Sequence, residues 1–284
     1  MQLVSFQYHG VNKVGVKVGE LIFDLSASCP DLPSDMIALI QMGTSGLRRI
    51  EQALLQANKI DFIQEHEIVF LSPIPKPGKI LCIGHNYAGH IGIGKTENPE
   101  FPNMFCKTVN TIIGHNQPVL IPRVSTQVDY EGELAVIIGG RAKDVPESDA
   151  MQFVAGYSIF NDVSARDIQK RTSQWFTGKS FDTFGPLGPA LVTTDEIPDP
   201  HHLNLELRVN GVLKQKTNTQ DFIFNVPYLI SYLSMVLTLE PGDVIATGTP
   251  AKLPEAANPH TFLQPGDVIE VSIEKIGVLC NPVQ

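Results

Sequence analysis

Apolar and polar residues alternate from the first positions of the chain. Leu3, Ser5 and Gln7 interleave with Val4 and Phe6, and Val14-Gly15-Val16 and Leu21-Ile22-Phe23 follow after Gly10 and Gly19-Glu20. This pattern predicts a meander of short strands. The period then changes. Residues 35–41 carry Met36, Ile37, Leu39 and Ile40, and residues 45–57 carry Leu47, Ile50, Leu54 and Leu55. Both stretches have helical spacing. The segment 71–79, with three prolines and a glycine, marks a boundary. It separates a small N-terminal α/β domain, 1–70, from a main domain, 71–284.

Strand signals dominate after the boundary. Candidate strands are 80–83, 119–121, 132–138, 156–161, 190–193, 204–209, 212–217, 244–247, 268–273 and 278–280. Asn210-Gly211 between two of them is a tight-hairpin signal. Pro241-Gly242-Asp243 and Pro265-Gly266-Asp267 each lead into Val-Ile. One clear helix interrupts the strands. Asn225 caps it, Pro227 sits in its first turn, and Leu229, Ile230, Leu233, Val236 and Leu237 form its buried stripe. The fold class is mainly β with helices (α+β), without the regular βα alternation of a Rossmann or barrel fold.

Composition narrows the function classes. A chain of 284 residues that is 43% hydrophobic and 18% charged buries a sizeable core and is not disordered. A formal net charge of −9 argues against a protein that holds nucleic acid, which needs a basic face. The four cysteines, Cys29, Cys82, Cys106 and Cys280, lack CxxC spacing and fit reduced thiols. No leader pattern and no apolar run of membrane length are visible. These points set the expectation of a cytoplasmic protein without a membrane partner.

Four segments carry candidate chemistry. The acidic run Asp129-Tyr130-Glu131-Gly132-Glu133 opens into the apolar strand Leu134-Ala135-Val136-Ile137-Ile138. Alternate strand residues share a face, so Glu131 and Glu133 point the same way. Two such carboxylates repel unless a cation lies between them, and all-oxygen ligation suits Mg²⁺, Mn²⁺ or Ca²⁺. The alternative is an acidic strand end facing water. Asp162 closes the strand Tyr157-Ser158-Ile159-Phe160. It is either a third ligand at a strand terminus or the cap of a following helix. Lys179 lies among aromatic and small residues. It either snorkels to the surface or neutralises an enolate beside a metal. The string Gly178-Lys179-Ser180 lacks the upstream glycine of a Walker A loop. Finally, Gly84-His85-Asn86-Tyr87-Ala88-Gly89-His90-Ile91-Gly92-Ile93-Gly94 follows a strand but opens no clear helix, so it is not a dinucleotide fingerprint. It reads as a lid over residues 89–102, with His90 either structural or a general acid–base.

Together these blocks resemble the fumarylacetoacetate hydrolase family. The order is Gly84-x-Asn86-Tyr87-x-x-His90, Glu131-x-Glu133, Asp162-x-x-Ala165-Arg166-Asp167, Lys179-Ser180-Phe181 and Thr247-Gly248-Thr249-Pro250. The resemblance covers about residues 71–280 and points to the branch acting on 2-keto acids, including acylpyruvate and diketo-deoxy sugar-acid hydrolases. It implies a mixed β-sandwich roll, usually a homodimer. It implies Mg²⁺ or Mn²⁺ on Glu131, Glu133 and Asp162. Lys179, Gln169 and His90 would be catalytic, and Tyr87, Arg166 and Thr249 would contact a small 2-oxo acid. In hydrolases of the family a Glu commonly follows the lid histidine by three residues, whereas Ile93 stands there in this chain.

Three functions follow. The first is a metal-dependent hydrolase cleaving a C–C bond in a 2,4-dioxo acid. The second is an oxaloacetate-type decarboxylase or keto–enol isomerase on the same site, which needs no water nucleophile. The third is a non-catalytic, ion-stabilised binding protein.

Overall fold

The computed structural model describes residues 1–88, 97–257 and 261–284. Strands β1 (Gln2–Tyr8), β2 (Val11–Val18) and β3 (Leu21–Asp24) form the expected meander. Helices α1 (Leu25–Ser28), α2 (Met36–Gln41) and α3 (Gly43–Gln56) follow. The Asp35 carboxylate accepts the Ala38 N–H at the start of α2. Strand β4 (Phe62–Gln64) pairs with β3, and β5 (Val69–Phe70) pairs with β1.

Past the proline-rich segment come β6 (Ile80–Gly84), β7 (Asn103–Lys107), β8 (Ile112–Ile113), β9 (Val128–Asp129) and β10 (Gly132–Ile138). They are followed by β11 (Val154–Asn161), β12 (Ser164–Ala165), α4 (Arg166–Gln169), α5 (Phe176–Lys179) and β13 (Gly185–Thr193). The chain continues through β14 (Asn204–Val209), β15 (Val212–Asn218), α6 (Val226–Val236) and β16 (Val244–Ala246). It ends with α7 (Pro254–Ala257), β17 (Val268–Ile273) and β18 (Gly277–Pro282). The reading as mainly β with helices holds.

The large sheet runs β4-β3-β2-β1-β13-β11-β10-β16-β6-β7. Its pairs are antiparallel except β16 with β6. One further strand curls the sheet. β8 follows β7 after the short turn Val109–Thr111 and pairs in parallel with β13. The path β13-β11-β10-β16-β6-β7 is thereby tied back to its own start, which makes a roll. A second, antiparallel sheet, β15-β14-β17-β18, packs on it.

Two cores explain why β10 is apolar without alternation. Leu134, Val136 and Ile138 face the second sheet and pack with Leu205, Leu207, Ile269 and Val271. Ala135 and Ile137 lie on the opposite face with Ile80, Cys82 and Phe160, in a cluster that reaches Leu3, Phe23, Met36 and Ile50. A strand covered on both faces has no reason to alternate. Strands from the first 70 residues thus share a sheet and a core with the rest, through the β1–β13 pairing.

The turns follow their sequence cues. Asn210 and Gly211 both adopt positive φ, 52° and 74°, as a two-residue hairpin of this hand requires. In the two Pro-Gly-Asp turns, Asp243 accepts the Glu240 N–H and Asp267 accepts the Gln264 N–H. One strand expectation fails, and β7 is not among the expected strands. Residues 119–121 make only an isolated bridge, Val119 with Val283. β7 escapes the pattern because Asn98-Pro99 and Phe101-Pro102 precede it and it is short.

Candidate active site

The β10–β11 register builds the centre of the site. Gly132 pairs with Asn161 and Glu133 with Phe160. One step beyond the ladder, the Asp162 N–H donates to the Glu131 carbonyl at 2.9 Å, and the Glu131 N–H donates to Asn161 Oδ1 at 3.0 Å. Asp162 is therefore set beside Glu131, and Glu133 shares the face of Glu131. One oxygen from each of Glu131, Glu133 and Asp162 lies within 4.8 Å of the others, and all three residues are buried. The capping alternative for Asp162 does not apply, since the N-cap position of α4 is Ala165.

Cations flank the carboxylates. Lys179 Nζ, at the end of α5, bonds Glu131 Oε2 at 2.6 Å and Asp162 Oδ2 at 2.5 Å. Lys107 Nζ, at the end of β7, bonds Asp162 Oδ1 at 2.5 Å and the Val163 carbonyl at 3.0 Å. Arg166 forks across the site, with Nη2 2.5 Å from Glu131 Oε1, Nε 2.8 Å from Asp129 Oδ2 and Nη1 3.0 Å from Gln169 Oε1. Lys252 Nζ reaches the same Asp129 oxygen at 2.6 Å and lies 4.5 Å from the centre of the Tyr130 ring. Asp129 thus serves Arg166 and Lys252 and lies outside the group of three carboxylates.

These neighbours set the charge states. Burial disfavours the Glu131 anion, but Arg166 and Lys179 outweigh it and hold the carboxyl well below the usual range. Glu133 goes the other way. Burial, then repulsion from Asp162 and Glu131, pushes its carboxyl well up against the pull of Lys179 and the Gly248 N–H. For Lys179, burial is overcome by Asp162 and Glu131, so the ammonium stays charged. For Lys107, burial wins and the pKa falls.

The remaining site residues are placed as follows. Gln169 is buried and orients Arg166. Thr249 Oγ1 accepts from Gln215 Nε2 at 2.8 Å and keeps its own proton to donate. The preceding Gly248 N–H donates to Glu133 Oε2 at 2.8 Å. Gly248 has φ +102°, and a Cβ there would sit 2.8 Å from the Ile83 carbonyl oxygen, so only glycine fits. Tyr87 is buried against Phe222, and its hydroxyl has no partner among the described residues. Asn86 ties this corner together by bonding the Phe224 N–H, the Phe224 carbonyl and the Thr247 carbonyl. His90 and Ile93 lie outside the described residues, as does most of the expected lid. Sequence reasoning missed Lys107 and Lys252. A lysine ending the apolar segment Met104-Phe105-Cys106 was the available signal for the first, and Lys252 carried none beyond its nearness to Thr249.

The sequence, compared with known proteins, answers to this geometry. Residues 79–284 match the fumarylacetoacetate (FAA) hydrolase C-terminal family. The chain belongs to that family. It is similar over its whole length to the mitochondrial oxaloacetate tautomerase fahd2 of Xenopus laevis, with 43% identity and 90% of that protein covered. It is also similar to the fumarylacetoacetate hydrolase of Exiguobacterium antarcticum, with 35% identity, a TM-score of 0.86 and coverage of 100% of this chain and 99% of that one. A maleylpyruvate hydrolase from Sphingobium sp. SYK-6, solved with manganese(II) and pyruvate, gives 32% identity, a TM-score of 0.84 and coverage of 100% and 98%. The likeness confirms the family and the roll expected from the motifs.

One expectation is corrected. The cytoplasmic reading is overturned by relatives from frog and human, matched over 90% and 91% of their length, that carry a mitochondrial name. It rested on cysteine usage and on the lack of a visible leader pattern or membrane-length apolar run. The four cysteines are indeed free, but a free thiol reports a reducing environment and does not separate one compartment from another. Among the described residues, no helix is long and apolar enough to cross a membrane.

Proposed function

We propose that this family member is a divalent-metal-dependent enzyme acting on a small 2-oxo acid, and that its reaction is keto–enol tautomerisation of an oxaloacetate-like substrate. The observation that carries this reading is the charged Lys179 ammonium held between Glu131 and Asp162 at the edge of a three-carboxylate cluster. The donor set fits a hard divalent ion. It is all oxygen, it is buried, and Glu133 carries a repulsion that a cation relieves. Glu131, Glu133 and Asp162 would hold Mg²⁺ or Mn²⁺. When bound, the ion would polarise the 2-oxo group as a Lewis acid.

The chain's own residues do the rest. Lys179 stabilises the negative charge that develops on the enolate oxygen. Because its ammonium is held charged, it acts as an electrostatic donor and not as a base. Thr249 donates its hydroxyl proton to the substrate carboxylate, while Gln169 and Asp129 fix Arg166 at the rim. Tyr87, whose hydroxyl has no partner among the described residues, would offer it to the substrate. His90 is the group that moves the proton at C3. Ile93 leaves it without the carboxylate that would help it activate water. Tautomerisation and decarboxylation need no attacking water, and the tautomerase name of a relative at 43% identity points to the first.

A second reading, C–C bond hydrolysis of an acylpyruvate, is favoured by the maleylpyruvate hydrolase likeness. We propose a homodimer for either reaction. The deciding experiment follows enol absorbance of oxaloacetate with and without Mn²⁺, alongside pyruvate release and acylpyruvate cleavage. The expected result is metal-dependent enol loss without matching pyruvate release. Rapid acylpyruvate cleavage with no effect on oxaloacetate would reverse the assignment.

A further inference from the structure

Charges in the site balance in number. Asp129, Glu131, Glu133 and Asp162 supply four carboxylates, and Lys107, Lys179, Arg166 and Lys252 supply four cations, each bonded to one or two of Asp129, Glu131 and Asp162. Among the described residues the two sets cancel when all are ionised. A divalent ion on the carboxylates leaves a surplus of two positive charges. A buried site tolerates such a surplus poorly unless a ligand neutralises it. A 2-oxo monocarboxylate brings one negative charge, whereas a 2-oxo dicarboxylate brings two.

The four cations are not equally placed to receive the second carboxylate. Lys107 and Lys179 are 0% and 2% exposed and locked on the metal-site carboxylates. Arg166 and Lys252 are 18% and 16% exposed, and they meet at one oxygen of Asp129. They are the more exposed cations of the cluster, and the far end of a substrate would lie toward them. Arg166 already spends its donors on Asp129, Glu131 and Gln169. Among the described residues, Lys252 Nζ makes one hydrogen bond, to Asp129, and otherwise rests on the face of Tyr130. It thus keeps protons to donate. It also shares a loop with Thr249, the candidate partner of the substrate's first carboxylate.

We propose that Lys252 is a specificity-determining residue that binds the distal carboxylate of a 2-oxo dicarboxylate and makes the site prefer dianions. This inference rests on the 2-oxo acid reading above. It predicts a preference between ligands and requires no chemical step of its own.

The test is equilibrium binding to the Mn²⁺-loaded protein by titration calorimetry. The probes are oxaloacetate and 2-oxobutyrate, both four-carbon 2-oxo acids, with and without the distal carboxylate. The wild-type protein is expected to bind oxaloacetate more tightly. Lys252→Met is expected to cut that preference about tenfold, the scale of one charge-assisted hydrogen bond, with 2-oxobutyrate affinity unchanged. Lys252→Arg, which keeps the charge, should retain the preference and guards against a folding artefact. Equal weakening of both ligands, or an unchanged preference in Lys252→Met, would overturn the role of Lys252. Equal wild-type affinity for the two probes would overturn it as well, leaving the 2-oxo acid reading intact. If the wild-type protein bound neither probe, that reading would itself fall and the inference with it.

Discussion

Lys179 and Glu133 carry opposite electrostatic problems, and each gives a measurable consequence. Lys179 is the cation between Glu131 and Asp162. On the proposed function, Lys179→Met should lower turnover of the 2-oxo acid by about 10²–10³, the scale for loss of one preorganised electrostatic donor. The same change takes one of two cations from each of two buried carboxylates, leaving Glu131 with Arg166 and Asp162 with Lys107. Breaking a buried pair costs roughly 3–5 kcal/mol, so the metal-free variant should melt well below the wild type and recover partly when Mn²⁺ is added. A variant with full activity would show that Lys179 does not meet the substrate.

Glu133 is protonated more readily in the folded chain than in the unfolded one, because burial and its carboxylate neighbours raise its pKa. The native state then binds more protons than the unfolded state. Metal-free stability therefore falls as pH rises from the ordinary glutamate range toward the raised value. On the proposed function, a metal would take the place of that proton. Binding should release about one proton and tighten with rising pH over the same window. Calorimetry in buffers of different ionisation enthalpy measures this directly, and Glu133→Gln should abolish the release. At this scale the sequence was informative where spacing forces proximity. Glu131 and Glu133 had to share a face. Asp129 has the same parity but turns to Arg166 and Lys252. Lys107 was hidden because its partner, Asp162, is met only once the sheet curls.

Among elements, the pairing of β10 with β11 and the corner around Asn86 decide the site. Asn86 satisfies three backbone groups from two distant segments, those of Phe224 and Thr247. Asn86→Ala would leave them buried without partners, at about 1–3 kcal/mol for each group left unmet. Denaturant unfolding should show a loss of several kcal/mol, and activity should fall because Gly248, which follows Thr247, bonds Glu133. A near-neutral variant would mean that water replaces the amide. Helix α5 depends on a similarly close approach. A Cβ on Gly178 would lie 2.5 Å from Gln169 Cβ, so α4 and α5 meet only because that residue is glycine. The long strands and α6 were legible because their periodicity is strong. α4 and α5, at four residues each, are too short for a period to register. β13 was half seen because Pro186 and Pro189 interrupt its apolar run.

For the whole molecule, the first 70 residues matter to the main sheet. Their strand β1 pairs with β13, and Leu3, Phe23 and Met36 share a cluster with Leu187, Leu191 and Val244. A chain cut to residues 71–284 would expose that apolar surface and leave the β13 edge without its β1 partner. It is expected to be far less soluble than the full chain, as measured by sedimentation after expression, and a soluble, cooperatively melting fragment would establish 71–284 as a self-sufficient unit. No periodicity in the sequence reveals that a strand at residue 2 lies beside one at residue 192, the partner recorded in the register. Such non-local pairing is visible only in three dimensions.

The tie from β8 back to β13 has a further consequence. A hoop has no loose end near its middle, so β10 and β11 are each gripped on both sides whether or not a metal is present. On the proposed function, the oxygens of Glu131, Glu133 and Asp162 would be mounted before an ion arrives, and loading it would involve little ordering of the chain. Amide hydrogen exchange in β10 and β11 should be equally slow with and without Mn²⁺. The protein would meet its metal as a finished socket, in contrast to small metallo-domains that fold around theirs.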